Sequence, residues 1–247
     1  ALAVQPMLLR RLVAEGLGTL FLVAAVVGSG IMGEQLAGGN IAVALLANTF
    51  ATSAILVILI LAFGPLSGAH FNPVVSLVML LRRELPWQEF LLYMLVQLIS
   101  ALAGVTLAHL MFAMPPITLS LTDRSGGAKL LSEGVATFGL VGVILSCVAH
   151  RKEAVAYAVA AYIGAGYWFT ASTSFANQAV TIARTLTNTF SGIRWIDAVG
   201  FICAQILGAL LAAWLFGWLF PKTATAAEPS PGSSLHAHQL SIEQAEP

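Results

Sequence analysis

The stretch SGAHFNPVVS at residues 67–76 has a counterpart in the opposite half of the chain, TSFANQAVTIAR at 173–184. In each, a polar loop ends in an Asn that opens a short apolar segment, about 73–81 in the first half and 178–187 in the second. A bilayer takes about 20 helical residues to cross, so both segments are too short and read as re-entrant half-helices. Asn caps a helix start well. Pro at the next position loses nothing, because its missing N–H would have been orphaned there; Asn72-Pro73 is that pair.

Six apolar spans of bilayer length surround these tracts, at roughly 9–32, 40–63, 88–112, 130–149, 153–172 and 196–220. The 247 residues are 58% hydrophobic and 9% charged, with mean hydropathy +0.89. A soluble domain carries about 25% charged residues, so this chain belongs in lipid. The formal net charge of zero implies no nucleic-acid partner. Cys147 and Cys203 fall inside spans with no spacing pattern and read as packing residues, not as a disulfide or metal pair. No His/Asp/Glu cluster has metal spacing, and no cofactor is expected. Arg10 and Arg11 precede a first span long enough to stay in the membrane, so no cleavable signal is expected.

The repeat extends beyond the Asn tracts. Glu15, Thr19 and Phe21 in the first span match Glu133, Thr137 and Phe138 in the fourth; QLISALAG from Gln97 matches QILGALLA from Gln205. Three spans per half is an odd number, so the second half inserts upside down and the two half-helix N-termini meet near the midplane. The expected fold is an all-α membrane protein with six transmembrane helices and two re-entrant half-helices in an inverted repeat. Its parts are a first repeat at 1–112, an outer connecting loop at 113–129, a second repeat at 130–220 and a disordered tail at 221–247 that holds His236 and His238. The connecting loop carries Pro115, Pro116, Gly126 and Gly127 and is expected to fold over the pore mouth. Arg10, Arg11, Arg82, Arg83, Arg151, Lys152 and Lys222 fall on one side of the membrane, against Arg124, Lys129, Arg184 and Arg194 on the other. The richer side is cytoplasmic by the positive-inside rule, which puts both termini inside.

Facing helix starts each carry about half a positive charge. Such a pair repels cations and protons while neutral hydrogen-bonding solutes pass. The amides of Asn72 and Asn177 are placed to donate to a passing oxygen. These features suit a passive pore and no catalysis.

Through SGAHFNPV at 67–74, the repeated Glu and the Gln-bearing third and sixth spans, the chain resembles the aquaporin and aquaglyceroporin family over about residues 9–220. Its first signature reads Asn72-Pro73-Val74, with Val for the family's Ala; the second reads Asn177-Gln178-Ala179, with Gln for Pro. The resemblance implies a homotetramer in a cell membrane, here the bacterial inner membrane. It also implies a selectivity filter in which Val180 stands where the family usually has Arg. Counting from the Asn residues puts Thr52 and Ala165 beside Val180 and the backbone near Ser174. That filter is small, uncharged and wide, and admits glycerol, urea and As(OH)₃. The ANxAVTIAR pattern without a filter Arg is similar to bacterial members linked to arsenical resistance, which adds metalloid hydroxides and small organic arsenicals to the expected cargo.

Arg184 lies one turn after Val180 and has two readings: a displaced vestibule charge that attracts anions, or a side chain that snorkels or pairs with Asp197. By resemblance His70 lines the pore beside Asn72, and Glu15 and Glu133 hold the re-entrant loops by accepting N–H bonds. His109 and His150 sit near span ends and read as interfacial. Alternatives to a neutral-solute channel are a water-selective or anion-leaky channel using Arg184, or a secondary transporter. An intramembrane enzyme or a closed-pore scaffold are further classes.

Overall fold

The computed structural model describes residues 7–221. The expected tail disorder and Lys222 lie outside the described residues. Helices run in the order α1 (Leu8–Leu36), α2 (Ile41–Ser67), α3 (Pro73–Leu81), α4 (Trp87–Met111), α5 (Gly127–His150), α6 (Val155–Phe169), α7 (Gln178–Ala183) and α8 (Trp195–Leu219). Six of them are the membrane helices and α3 and α7 the half-helices, so the chain is a multi-pass membrane protein. α1, α2, α4, α5 and α8 are each long and apolar enough to span a bilayer. α6 is shorter than its expected span. It starts after a 3₁₀ turn at Lys152–Ala154 and stops at Phe169, where Thr170 Oγ1 donates back to the Gly166 carbonyl at 2.6 Å. α7 covers only the first part of the expected 178–187 segment, because Arg184–Leu186 tightens into a 3₁₀ turn.

The surface is apolar where lipid or a neighbouring subunit would lie: Phe50, Leu46 and Leu207 are exposed, as are Trp87, Trp168, Trp195, Trp214 and Trp218. Along the helices the buried polar side chains, among them Glu15, Asn48, Gln97, Glu133 and Gln205, face inward. This is the inverse of a soluble protein and follows from the lack of hydrogen-bonding solvent in hydrocarbon.

The two halves close by the same device. α1 crosses α4 and α5 crosses α8 through residues too small to hold the backbones apart. A Cβ on Gly104 would stand 2.6 Å from the Leu20 carbonyl of α1, and a Cβ on Gly208 would run into the Gly134 carbonyl of α5. That approach lets Gln97 and Gln205 reach the buried carboxylates of Glu15 and Glu133.

The connecting loop lies along the segment between α7 and α8 in the second half. Thr118 N donates to Leu186 O at 3.0 Å, Ser120 N to Thr185 O at 2.9 Å, and Arg194 N to Thr122 O at 3.0 Å. His109, expected at the interface, is fully buried. One ring nitrogen faces the carbonyls of Pro115 and Pro116, and the other lies 2.8 Å from Thr187 Oγ1. Its place at a span end is right, but the loop folds back over it and supplies the polar partners that water would have given. Cys147 and Cys203 are both free.

Candidate functional site

The half-helix starts are built alike. Asn72 and Asn177 are extended, at φ −155° and −157°, and cap α3 and α7 with their side-chain oxygens, which accept from Val74 N at 3.1 Å and Val180 N at 3.2 Å. Their amide nitrogens cross the midplane in opposite directions. Asn72 Nδ2 donates to Ala176 O at 2.7 Å, and Asn177 Nδ2 donates to Phe71 O at 2.8 Å.

The loops that deliver these Asn residues are wound unusually. Ala69, Phe71, Ser174 and Ala176 all have positive φ, between 47° and 52°, which residues with a Cβ seldom adopt. The carboxylates hold them there. Glu15 accepts from His70 N at 2.9 Å, Phe71 N at 2.7 Å, Ser67 Oγ at 2.7 Å and Gln97 Nε2 at 2.9 Å. Glu133 accepts from Phe175 N at 2.8 Å, Ala176 N at 2.9 Å and Gln205 Nε2 at 2.7 Å. The same Gln amides donate to Ser76 Oγ and Thr181 Oγ1, each four residues after its Asn. Both carboxylates are fully buried and every group they contact is a donor, so their oxygens are not left without partners in an apolar interior.

A cavity of about 270 Å³ runs past both Asn residues. Its walls are stripes taken every fourth residue: Thr52, Leu56 and Ile60 from α2; Val75 and Met79 from α3; Leu140, Ile144 and Val148 from α5; Val155, Val159, Ile163 and Tyr167 from α6; and Val180 and Arg184 from α7 and the turn after it. His70, Ser174 and Phe175 also line it. Pro73, Val74, Gln178 and Ala179 are buried but stand behind the Asn residues and do not line it. His70 is held by Ser76 Oγ at 3.0 Å and packs against the Tyr93 ring.

One expectation is corrected, and one of two open readings is dropped. Ala165 is exposed on the outer face of α6, and the residue that lines the cavity is Tyr167, whose hydroxyl is 3.2 Å from Thr52 Oγ1. A two-residue slip turns a helix by about 200°, so it moves a side chain to the opposite face. Arg184 neither snorkels nor pairs with Asp197. It is 2% exposed, lines the cavity, donates through Nε to the Ser191 carbonyl and stacks on the Phe175 ring. Asp197 instead pairs with Arg194 at 2.9 Å. The mouth is therefore not free of cations. Tyr167 was findable in the sequence, since Val155, Val159, Ile163 and Tyr167 form one stripe at helical spacing. Arg124, which binds the Gly192 carbonyl at 2.7 Å and faces Phe175 from the connecting loop, carries no such signal.

The model of the major intrinsic protein family matches residues 3–164. The chain belongs to the major intrinsic protein family. It is 57% identical over 212 residues to aquaglyceroporin AqpS of Rhizobium meliloti (strain 1021), covering 86% of this chain and 91% of that one. It is 28% identical over 239 residues to aquaporin NIP2-1 of Oryza sativa subsp. japonica, covering 93% and 75%. Among solved structures it resembles the X-ray structure of the aquaglyceroporin from Plasmodium falciparum, with a TM-score of 0.65 over 88% of this chain and 97% of that one. At 18% identity that likeness shows the shared fold. Major intrinsic proteins are channels and not enzymes, and among the described residues no His, Cys, Asp or Glu cluster could hold a metal.

Proposed function

We propose that the chain is a passive channel for water and small uncharged solutes: polyols such as glycerol, urea, and metalloid hydroxides such as arsenite, with small organic arsenicals at the upper size. The observation that carries this reading is the cavity itself. It passes two half-helix starts held face to face by the Asn72 and Asn177 amides, and its other walls are mainly aliphatic. A solute with hydroxyls on one side and C–H groups on the other suits such walls. The similarity to an aquaglyceroporin along most of the chain supports the same class.

The filter in this reading is Thr52, Tyr167, Ser174 and Val180, with Arg184 as a cation displaced by one turn. Val at 180 leaves the width that an Arg there would fill. The second reading, a water-selective or anion-leaky pore, is favoured by one observation, the Arg184 guanidinium in the cavity lining. The proposal extends to repeats at 1–112 and 130–220 around a loop at 113–129, both termini on the cytoplasmic side of a bacterial inner membrane, and a homotetramer.

The test is light-scattering flux into proteoliposomes challenged in turn with sucrose, glycerol and neutral arsenite. Rapid glycerol or arsenite entry that Val180→Arg suppresses, with water flux retained, supports a wide solute channel. Water flux with neither solute overturns the solute reading and favours Arg184 as the narrowing group.

A further inference from the structure

We infer that the outer mouth carries a binding site for a small oxyanion, held by Arg184 and Ser174, in which the anion docks without crossing. The flux part of its test rests on the channel reading above; the binding part does not.

The ring of Phe175 carries two guanidinium groups. That of Arg184 lies 3.4 Å from the ring centroid and that of Arg124 lies 4.9 Å from it. Arg124 is committed to the protein: Nε to Gly192 O at 2.7 Å, Nη1 to Ser172 O and Thr173 Oγ1 at 3.3 and 3.4 Å, and Nη2 to Phe190 O at 3.3 Å. Arg184 is not. Its Nε donates to the Ser191 carbonyl, and its two η nitrogens have no acceptor among the described residues. It is 2% exposed and lines the cavity, as does Ser174, also 2% exposed, whose hydroxyl has no protein partner.

The nearby acids are all engaged elsewhere. Asp123 and Asp197 both hold Arg194, at 2.8 and 2.9 Å. Glu34 accepts from Phe190 N, and Glu133 is taken by the Phe175 and Ala176 amides and Gln205. Two cations sharing one ring therefore have no carboxylate in ion-pair contact among the described residues. A buried charge whose nearby carboxylate is already shared among other donors is poorly compensated, and a guanidinium with a free edge binds a carboxylate through two parallel hydrogen bonds. An anion entering from outside offsets that cost and gains the Ser174 hydroxyl as a further donor.

The deeper walls stop the anion at the mouth. They include Leu56, Ile60, Leu140 and Ile163. An ion that gives up its water meets aliphatic side chains that cannot replace it. A docked anion instead lies in the path of neutral solutes and blocks them.

The experiment measures glycerol entry into proteoliposomes with external sodium formate or sodium gluconate at equal ionic strength and osmolality, each corrected for protein-free vesicles. Formate at about 50 mM lies above the roughly 10 mM dissociation constant expected of one bidentate pair, and it should lower the rate by at least about twofold relative to gluconate. The difference should vanish in Arg184→Gln and shrink in Ser174→Ala. In parallel, ¹³C-formate line broadening on the detergent-solubilised protein should be saturable and be lost in Arg184→Gln. Equal wild-type rates in the two salts, unsaturable broadening, or labelled formate filling vesicles as fast as glycerol each overturn the proposal. Absence of glycerol flux in both salts defeats the channel reading alone, and the line broadening then decides the site.

Discussion

Tyr167 on α6 reaches Thr52 on α2 across one wall of the cavity, hydroxyl to hydroxyl at 3.2 Å. In the proposed filter the ring narrows the space beside Val180, and the hydroxyl pair fixes the ring. Tyr167→Ala should raise the ratio of glycerol to water flux by roughly tenfold, equivalent to about 1.4 kcal/mol in relative barrier. Tyr167→Phe keeps the bulk and loses one hydrogen bond worth about 1 kcal/mol, so the ratio should move much less. Stopped-flow light scattering on the two variants measures both ratios; a larger effect from Phe than from Ala would show that the ring is not the narrowing element.

The Glu15 carboxylate accepts four donors, two of them amides of the strained loop that presents Asn72. Glu15→Gln turns an NH₂ group toward donors. It should destabilise the fold by about 3 kcal/mol, read as a lowered thermal midpoint in detergent. The exposed Glu153 gives the comparison, since Glu153→Gln should stay within about 0.5 kcal/mol of wild type.

Helix approach should be equally selective. In Gly208→Ala the new methyl meets the Gly134 backbone, which cannot swing aside, and about 1–3 kcal/mol of stability should be lost. Gly64 on α2 has open space at the same position, so Gly64→Ala should be neutral or gain up to about 1 kcal/mol from helix propensity. Thermal unfolding of the pair tests whether close backbone packing, and not glycine as such, sets the cost.

Acid should loosen the connecting loop. The Ser125 N–H and hydroxyl, helped by Arg194, hold the Asp123 carboxyl below its ordinary value of 3.8. A depressed folded value stabilises the loop fully above the unfolded pKa, and the effect fades as pH falls through the folded one. Proteolysis at 113–126 should therefore rise below about pH 4. Asp123→Asn should show the low-pH cleavage rate at neutral pH; an unchanged rate would place loop attachment in other bonds.

The two Asn starts, the paired carboxylates and the span order were legible because capping, repetition and hydropathy are local signals. Ala165 was misplaced because counting between helices carries no information on helix rotation, while the stripe ending at Tyr167 does. Spacing offered two readings of Arg184 and could not choose between them. Its burial depends on Phe175 and on the Ser191 carbonyl, brought together by a loop whose path no local pattern marks. His109 failed for the same reason: the loop that covers it is held at Thr187, far along the chain.

Each residue adds about 1.5 Å along a helix, so wall groups four residues apart recur about every 6 Å. A solute near that length touches the next rung of the ladder before it leaves the last. Its journey becomes a series of short exchanges between neighbouring footholds along each helix.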